Sequence, residues 1–108
     1  MNWLVLYAAI AFEIGGTTAL KLSDGMTRLS MFSISLGLYA VSFALLAIAL
    51  RDLPVGVVYA IWSGVGTAAV AVIGMVWFGE SAAIGRLAFI AMIVIGAVGL
   101  NVITDSTA

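Results

Sequence analysis

The sequence predicts an all-α membrane protein with four transmembrane helices per protomer, and three observations lead to this fold class. Of the 108 residues, 65% are hydrophobic and 8% are charged, whereas a soluble domain has about a quarter charged residues. Four apolar runs have the length of about 20 residues that a helix needs to cross a bilayer. The segments between these runs are short and polar, so consecutive helices are expected to run antiparallel.

The four runs are interpreted as a single four-helix transmembrane domain over residues 1–108. Polar segments, LSDGMTRLS and GESAAIGR, separate the first run from the second and the third from the fourth. The second connection is the short segment RDLP, and its Pro54 suits the first turn of a helix, where a missing N–H donor costs nothing. The predicted spans cover approximately residues 3–20, 31–50, 55–78 and 87–103.

The composition also excludes several kinds of function. The chain has no cysteine and no histidine, which excludes disulfides, thiol catalysis and imidazole acid–base chemistry. A formal net charge of −1 predicts no affinity for nucleic acid. The sequence contains no nucleophile–base pair, metal-ligand set or phosphate-binding loop, so we expect neither an enzyme nor a cofactor.

Glu13 is the only charged residue inside a predicted span. An ionisable side chain at membrane depth is costly and by default indicates a functional site. One interpretation is structural, with a protonated carboxyl group hydrogen-bonded to a serine or threonine of another helix. The interpretation we favour is a binding group that holds either a proton or a cation, because such exclusive binding couples opposite fluxes.

Small residues lie one helical turn from Glu13 on the same face. Ala9, Gly16 and Thr17 are expected to leave room for a ligand in front of the carboxyl group. The same small residues are also typical of close helix packing in membranes. Leu6 and Ile10 complete this face.

Polar and aromatic residues recur at helical spacing on two further spans. Aromatic faces suit lipophilic cations through cation–π contact, so these residues are candidates for the same binding site. They are Tyr59, Trp62 and Ser63 on the third span and Tyr39, Ser42 and Phe43 on the second.

Glycines and alanines on the last two spans predict how the helices bend and pair. Gly64 and Gly66 either allow close packing or weaken the third helix so that it bends. The fourth span carries small residues that predict a dimerisation helix, among them Ala91, Gly96 and Gly99. Four short helices can hardly enclose a path with a gate at each end, so we expect at least a dimer.

Several of these residues resemble the small multidrug resistance transporters, over essentially the whole chain. The resemblance is carried by Glu13, by TRL at 27–29, by PVG at 54–56 and by YAIWSGVG at 59–66. It implies a dual-topology antiparallel homodimer that exchanges cations for protons at the bacterial inner membrane. It also implies that Glu13 is the shared proton and cation carboxylate, that the candidates named above line its chamber, and that Gly64, Val65 and Gly66 form a hinge.

Two subtypes of this family differ near Glu13. Exporters of quaternary ammonium and other lipophilic cations typically have glycine at position 16 and tyrosine at position 39, as this chain has. Guanidinium exporters typically have tryptophan at position 16, although GESA at 79–82 is reminiscent of them. The resemblance therefore implies a proton-coupled antiporter for lipophilic cations that works by alternating access.

Three alternatives remain open at this point. The chain could be a guanidinium/proton exchanger of the same family, or one subunit of a paired heterodimeric transporter. Outside transport, it could be a small membrane protein in which Glu13 has only a structural role.

Overall fold

The computed structural model describes residues 2–107, with side chains described for residues 3–104, and it contains four α-helices. Each helix is long and apolar enough to cross a membrane, which confirms the predicted fold class. The first and last residues of the predicted 1–108 domain lie outside the described residues. The helices are α1 (Asn2–Leu22), α2 (Leu29–Ala49), α3 (Val55–Trp77) and α4 (Ile84–Thr107).

The predicted spans match α1, α2 and α3 to within two residues at each end. Helix α4 differs, because it begins at Ile84 and runs to Thr107, beyond both ends of the predicted span. The prediction followed the apolar run and placed Arg86 in a loop. A charged residue at the membrane surface does not end a helix, so α4 continues past the hydrophobic segment.

The chain divides into two units, the α1–α2 hairpin and the α3–α4 hairpin. In the first hairpin, the hydroxyl groups of Ser42 and Ser35 donate hydrogen bonds to the carbonyl oxygens of Ala9 and Gly16, each at 2.7 Å. Both serines are fully buried. The two bonds join residues seven apart on each helix, so they fix an antiparallel register between α1 and α2.

A tight turn joins α1 to α2. The hydroxyl of Ser23 donates to the carbonyl of Leu20 at 2.6 Å and accepts from the backbone N–H of Met26 at 3.1 Å. Asp24, Gly25 and Met26 all have positive φ angles, of 51°, 66° and 70°. Left-handed backbone costs about 1–2 kcal/mol for a residue with a β-carbon, and the buried Ser23 bonds help to offset this strain.

In the second hairpin, α3 and α4 approach closely at Gly64. A β-carbon on Gly64 would lie 2.6 Å from the β-carbon of Ala97 and 3.2 Å from the carbonyl oxygen of Ile93. Only a residue without a side chain fits at this crossing. The α3–α4 interface therefore depends on glycine at position 64.

Helix α3 ends at a glycine with left-handed backbone. Gly79 has a φ of 66°, and the chain then turns back so that the N–H groups of Phe78 and Glu80 both donate to the carbonyl of Gly74. The carboxylate of Glu80 lies directly against the α-carbon of Gly74. This places the carboxylate of Glu80 beside the last turn of α3.

Candidate functional site

The candidate site is centred on Glu13, which lies half-buried near the middle of α1. Thr17 follows one turn later, and its hydroxyl donates to Oε2 of Glu13 at 2.5 Å. A hydrogen bond to an ionised carboxylate is short and roughly twice as strong as one between neutral groups. Because the Thr17 hydroxyl is uncharged, it does not neutralise the carboxylate, and the negative charge of an ionised Glu13 stays available to a cation.

Tyr39 of α2 extends this arrangement. Its phenolic oxygen lies 2.7 Å from Oγ1 of Thr17. A threonine hydroxyl has a single hydrogen, and Thr17 gives that hydrogen to Glu13. When Glu13 is ionised, Tyr39 is therefore the donor to Thr17, and a chain of two hydrogen bonds runs from Tyr39 through Thr17 to Glu13.

Two contacts hold the ring of Tyr39 in this position. It packs against Gly16, where a β-carbon would lie only 2.9 Å from the ring atoms Cδ1 and Cε1. It also stacks on Phe43, with 6.2 Å between ring centroids and an angle of 13° between the planes. Phe43 itself remains 59% exposed. The first hairpin thus brings Glu13, Gly16, Thr17, Tyr39 and Phe43 together.

The small residues before and after Glu13 pack against α2. We predicted that Ala9, Gly16 and Thr17 leave room for a ligand in front of the carboxyl group, and this chamber stays a prediction. The carbonyl of Ala9 accepts from Ser42, and the ring of Tyr39 covers Gly16. Leu6 and Ile10 are buried as well. Ala9 and Gly16 therefore take part in close helix packing, the second role considered for them in the sequence.

Ser42, a predicted site residue, lies in the interior of the α1–α2 interface. It has no exposed surface, and its hydroxyl is bonded to backbone. Ser35 makes the equivalent bond one heptad earlier, and sequence analysis missed it. The signal for it was the spacing of seven residues that separates Ser35 from Ser42 and Ala9 from Gly16.

The candidates on α3 belong to the second hairpin. Tyr59 is 73% exposed, Ser63 is exposed and Trp62 is half-buried. A site that combines these residues with Glu13 stays a prediction. Gly64 and Gly66 are buried within an uninterrupted helix, and Gly64 contacts α4. This contact favours the close-packing role of Gly64, and the hinge at 64–66 stays a prediction.

The small residues proposed for dimerisation lie on the outer surface of α4. Ala91 and Gly96 are exposed and Gly99 is half-buried. A β-carbon on Gly96 or Gly99 would meet no atom within 4 Å. These positions therefore have space for a neighbouring helix, and the dimer stays a prediction. Within residues 3–104, acidic side chains form no group able to hold a metal ion.

Comparison with known proteins identifies the family. The family model described as Small Multidrug Resistance protein matches residues 1–93. The chain belongs to the small multidrug resistance family. Members of this family are transporters, and the four apolar helices and the family together make the chain a multi-pass inner-membrane protein.

Individual relatives cover nearly the whole chain. It is 43% identical over 101 residues to the guanidinium exporter of Proteus vulgaris, a match that includes 94% of this chain and 97% of the relative. It is 42% identical over 104 residues to the guanidinium exporter of Escherichia coli strain K12, with 96% and 99% covered. An uncharacterised membrane protein of Bacillus subtilis, YvaE, is 38% identical over 103 residues, with 95% and 87% covered. Two of these relatives are named as guanidinium exporters.

Proposed function

We propose that this chain is a proton-coupled exporter of guanidinium-type cations in which Glu13 binds either a proton or the cation. The observation that carries the proposal is a half-buried carboxylate in the middle of an apolar span, whose bonded partner is the neutral hydroxyl of Thr17. The names of the relatives from Proteus vulgaris and Escherichia coli support guanidinium as the substrate.

The chemistry of the carboxylate suits this exchange. A planar guanidinium ion donates two parallel N–H bonds to a carboxylate, a geometry that adds both strength and selectivity. Protonation of Glu13 removes the charge that holds the cation, so the cation leaves. Binding and release on opposite sides of the membrane then exchange one cation for protons without any further charged residue in the span.

Transport in proteoliposomes tests the proposal. With an imposed proton gradient, guanidinium uptake should be measurable for the wild-type protein and absent for Glu13→Gln, which keeps the size of the side chain and removes its charge. Asp24→Asn is the matched control, because Asp24 is an exposed acid in the α1–α2 turn. Unchanged guanidinium transport by Glu13→Gln would exclude this mechanism.

A second candidate function is export of lipophilic quaternary ammonium cations. The observation that favours it is the aromatic surface beside the carboxylate, formed by Tyr39 against Gly16 and by its stacking partner Phe43. Quaternary ammonium ions carry no N–H donor, and aromatic faces attract them through cation–π contact. Tetraethylammonium in place of guanidinium in the same proteoliposomes separates the two functions.

The transporting unit is proposed to be an antiparallel homodimer with two copies of Glu13 in one chamber. Large exposed apolar residues along α4, namely Phe89, Met92, Ile95 and Val102, support a surface that lies in lipid or against a second copy. The chain has no cysteine, so Ser81→Cys introduces a single thiol into the α3–α4 connection. A dual-topology protein should be labelled to about one half by an impermeant maleimide in intact cells, since half of the copies face each way. Labelling of all copies or none would instead favour a paired heterodimer with a fixed orientation.

A further inference from the structure

We propose that Thr17 is a positioning residue that couples the charge of Glu13 to the placement of the Tyr39 phenol. The inference deepens the proposed function, because it assigns the step by which the exchange at Glu13 reaches a second residue of the site. It rests on two hydrogen bonds and one close contact, all within the α1–α2 hairpin.

The direction of both hydrogen bonds depends on the charge of Glu13. When the carboxylate is ionised it can only accept, so Thr17 donates to it and Tyr39 donates to Thr17. When Oε2 carries a proton, that proton can be donated to Thr17, which then donates to Tyr39. A change of charge at Glu13 therefore reverses the role of the phenol from donor to acceptor.

The strength of the bonds changes together with their direction. The ionised state has a charge-assisted bond between Thr17 and Glu13, and chains of hydrogen bonds polarise and strengthen one another. Tyr39 is therefore held most firmly when Glu13 is charged and ready to bind a cation. Protonation of Glu13 weakens the chain and loosens the phenol.

The packing of Tyr39 makes it responsive to this chain. Its ring contacts both Gly16 and Phe43, so these contacts restrict the plane of the ring, and the bond to Thr17 fixes the position of the hydroxyl. Tyr39 is also linked to the carboxylate of Glu13 through Thr17. Its placement thus sets the size and polarity of the space that a cation meets beside Glu13.

The ring signal of Tyr39 tests the coupling directly. The chain has three tyrosines, so the NMR spectrum of full-length protein with ¹³C-labelled tyrosine can be assigned with single phenylalanine variants. Glu13→Gln should move the Tyr39 signal, because the amide removes the charge. In the Thr17→Val background the same Glu13→Gln change should leave the Tyr39 signal nearly unmoved. Thr17→Ser, which restores a hydroxyl, should restore the response.

Thr18→Val is the matched control for this comparison. Thr18 is the next residue, and its hydroxyl donates to the carbonyl of Ile14 in its own helix at 2.8 Å. Thr18→Val removes a hydroxyl group, as Thr17→Val does, but it leaves the hydrogen bonds among Tyr39, Thr17 and Glu13 intact. If Glu13→Gln moves the Tyr39 signal equally in the wild-type protein and in the Thr17→Val variant, the proposal is overturned.

This test needs no substrate, so its failure differs from failure of the proposed function. Guanidinium is then added to the wild-type protein and to the Thr17→Val variant, with binding followed by calorimetry. Binding that moves the Tyr39 signal in wild type, and no longer moves it in Thr17→Val, supports both proposals. Absence of guanidinium binding contradicts the proposed substrate alone, while binding that moves Tyr39 equally in both proteins contradicts the coupling alone.

Discussion

The ring of Tyr39 packs so closely against Gly16 that a β-carbon on residue 16 would lie 2.9 Å from two of its carbon atoms. This contact joins α1 to α2 within one turn of Glu13. Gly16 has no side chain, and this absence leaves room for the ring of Tyr39 on the facing helix.

Gly16→Ala is expected to displace this ring. Overpacking typically costs about 1–3 kcal/mol, and the displaced phenol can no longer reach Thr17. Reversible unfolding in mixed detergent micelles should show the loss of stability. Adding Tyr39→Leu should recover most of it by removing the clash. Gly37→Ala is the control, since a β-carbon there meets no atom within 4 Å, and a loss of similar size in that variant would contradict the explanation.

Ser35→Ala and Ser42→Ala should each weaken the α1–α2 hairpin modestly. Interhelical hydrogen bonds in membrane proteins contribute about 0.6 kcal/mol on average. The two sites are two turns apart and share no partner, so their effects should add. The exposed Ser33 on the same helix supplies the control, Ser33→Ala. Unfolding free energies of the three single variants and the double variant measure this, and a strongly non-additive pair would argue against independent bonds.

Gly64→Ala should destabilise the α3–α4 hairpin, because its β-carbon would lie 2.6 Å from that of Ala97. The compensating change is Ala97→Gly, which removes the opposing atom and should restore both stability and transport. Gly96→Ala, at an open position of α4, is expected to be tolerated. If the double variant regains stability and still fails to transport, Gly64 acts as a hinge as well as a packing residue.

Gly79→Ala should destabilise the end of α3. Its φ of 66° costs an L-residue about 1–2 kcal/mol, while the N–H of Glu80 depends on this turn to reach Gly74. Gly85→Ala, within α4 and with open space around it, should be neutral or slightly stabilising because alanine favours a helix. Thermal stability in detergent compares the two, and equal effects would exclude the backbone explanation.

The four helices could be predicted from the sequence, because hydrophobic length is a local property. The isolated charge of Glu13 can be recognised in the same way, and its functional role stays a prediction. The faces by which the helices meet could not be predicted. Spans that are apolar on every side carry little periodic signal, so the contact between Tyr39 and Gly16 emerges only once the register of α1 and α2 is known. For the same reason Ser35 was missed, and the contact that Ala9 makes with Ser42 of α2 was not predicted.

The substrate stays a proposal, because the available signals point in different directions. Residue types at positions 16 and 39 favoured lipophilic cations, whereas relatives that share 42–43% of the sequence are named guanidinium exporters. Both cations require a carboxylate, and the groups that separate them are neutral side chains around it. Those side chains differ in shape and in the hydrogen-bond donors they carry. The composition of the chain and the spacing of its residues contain little information about either property.

The two serine bonds between α2 and α1 end on main-chain carbonyl oxygens, at Ala9 and Gly16. Every amino acid supplies such an oxygen, so the α1 half of each bond survives any substitution that the available volume permits. Only the α2 half can be lost by mutation. The lining of the site can therefore diversify along α1 over evolutionary time while the depth of Glu13 relative to α2 stays constant.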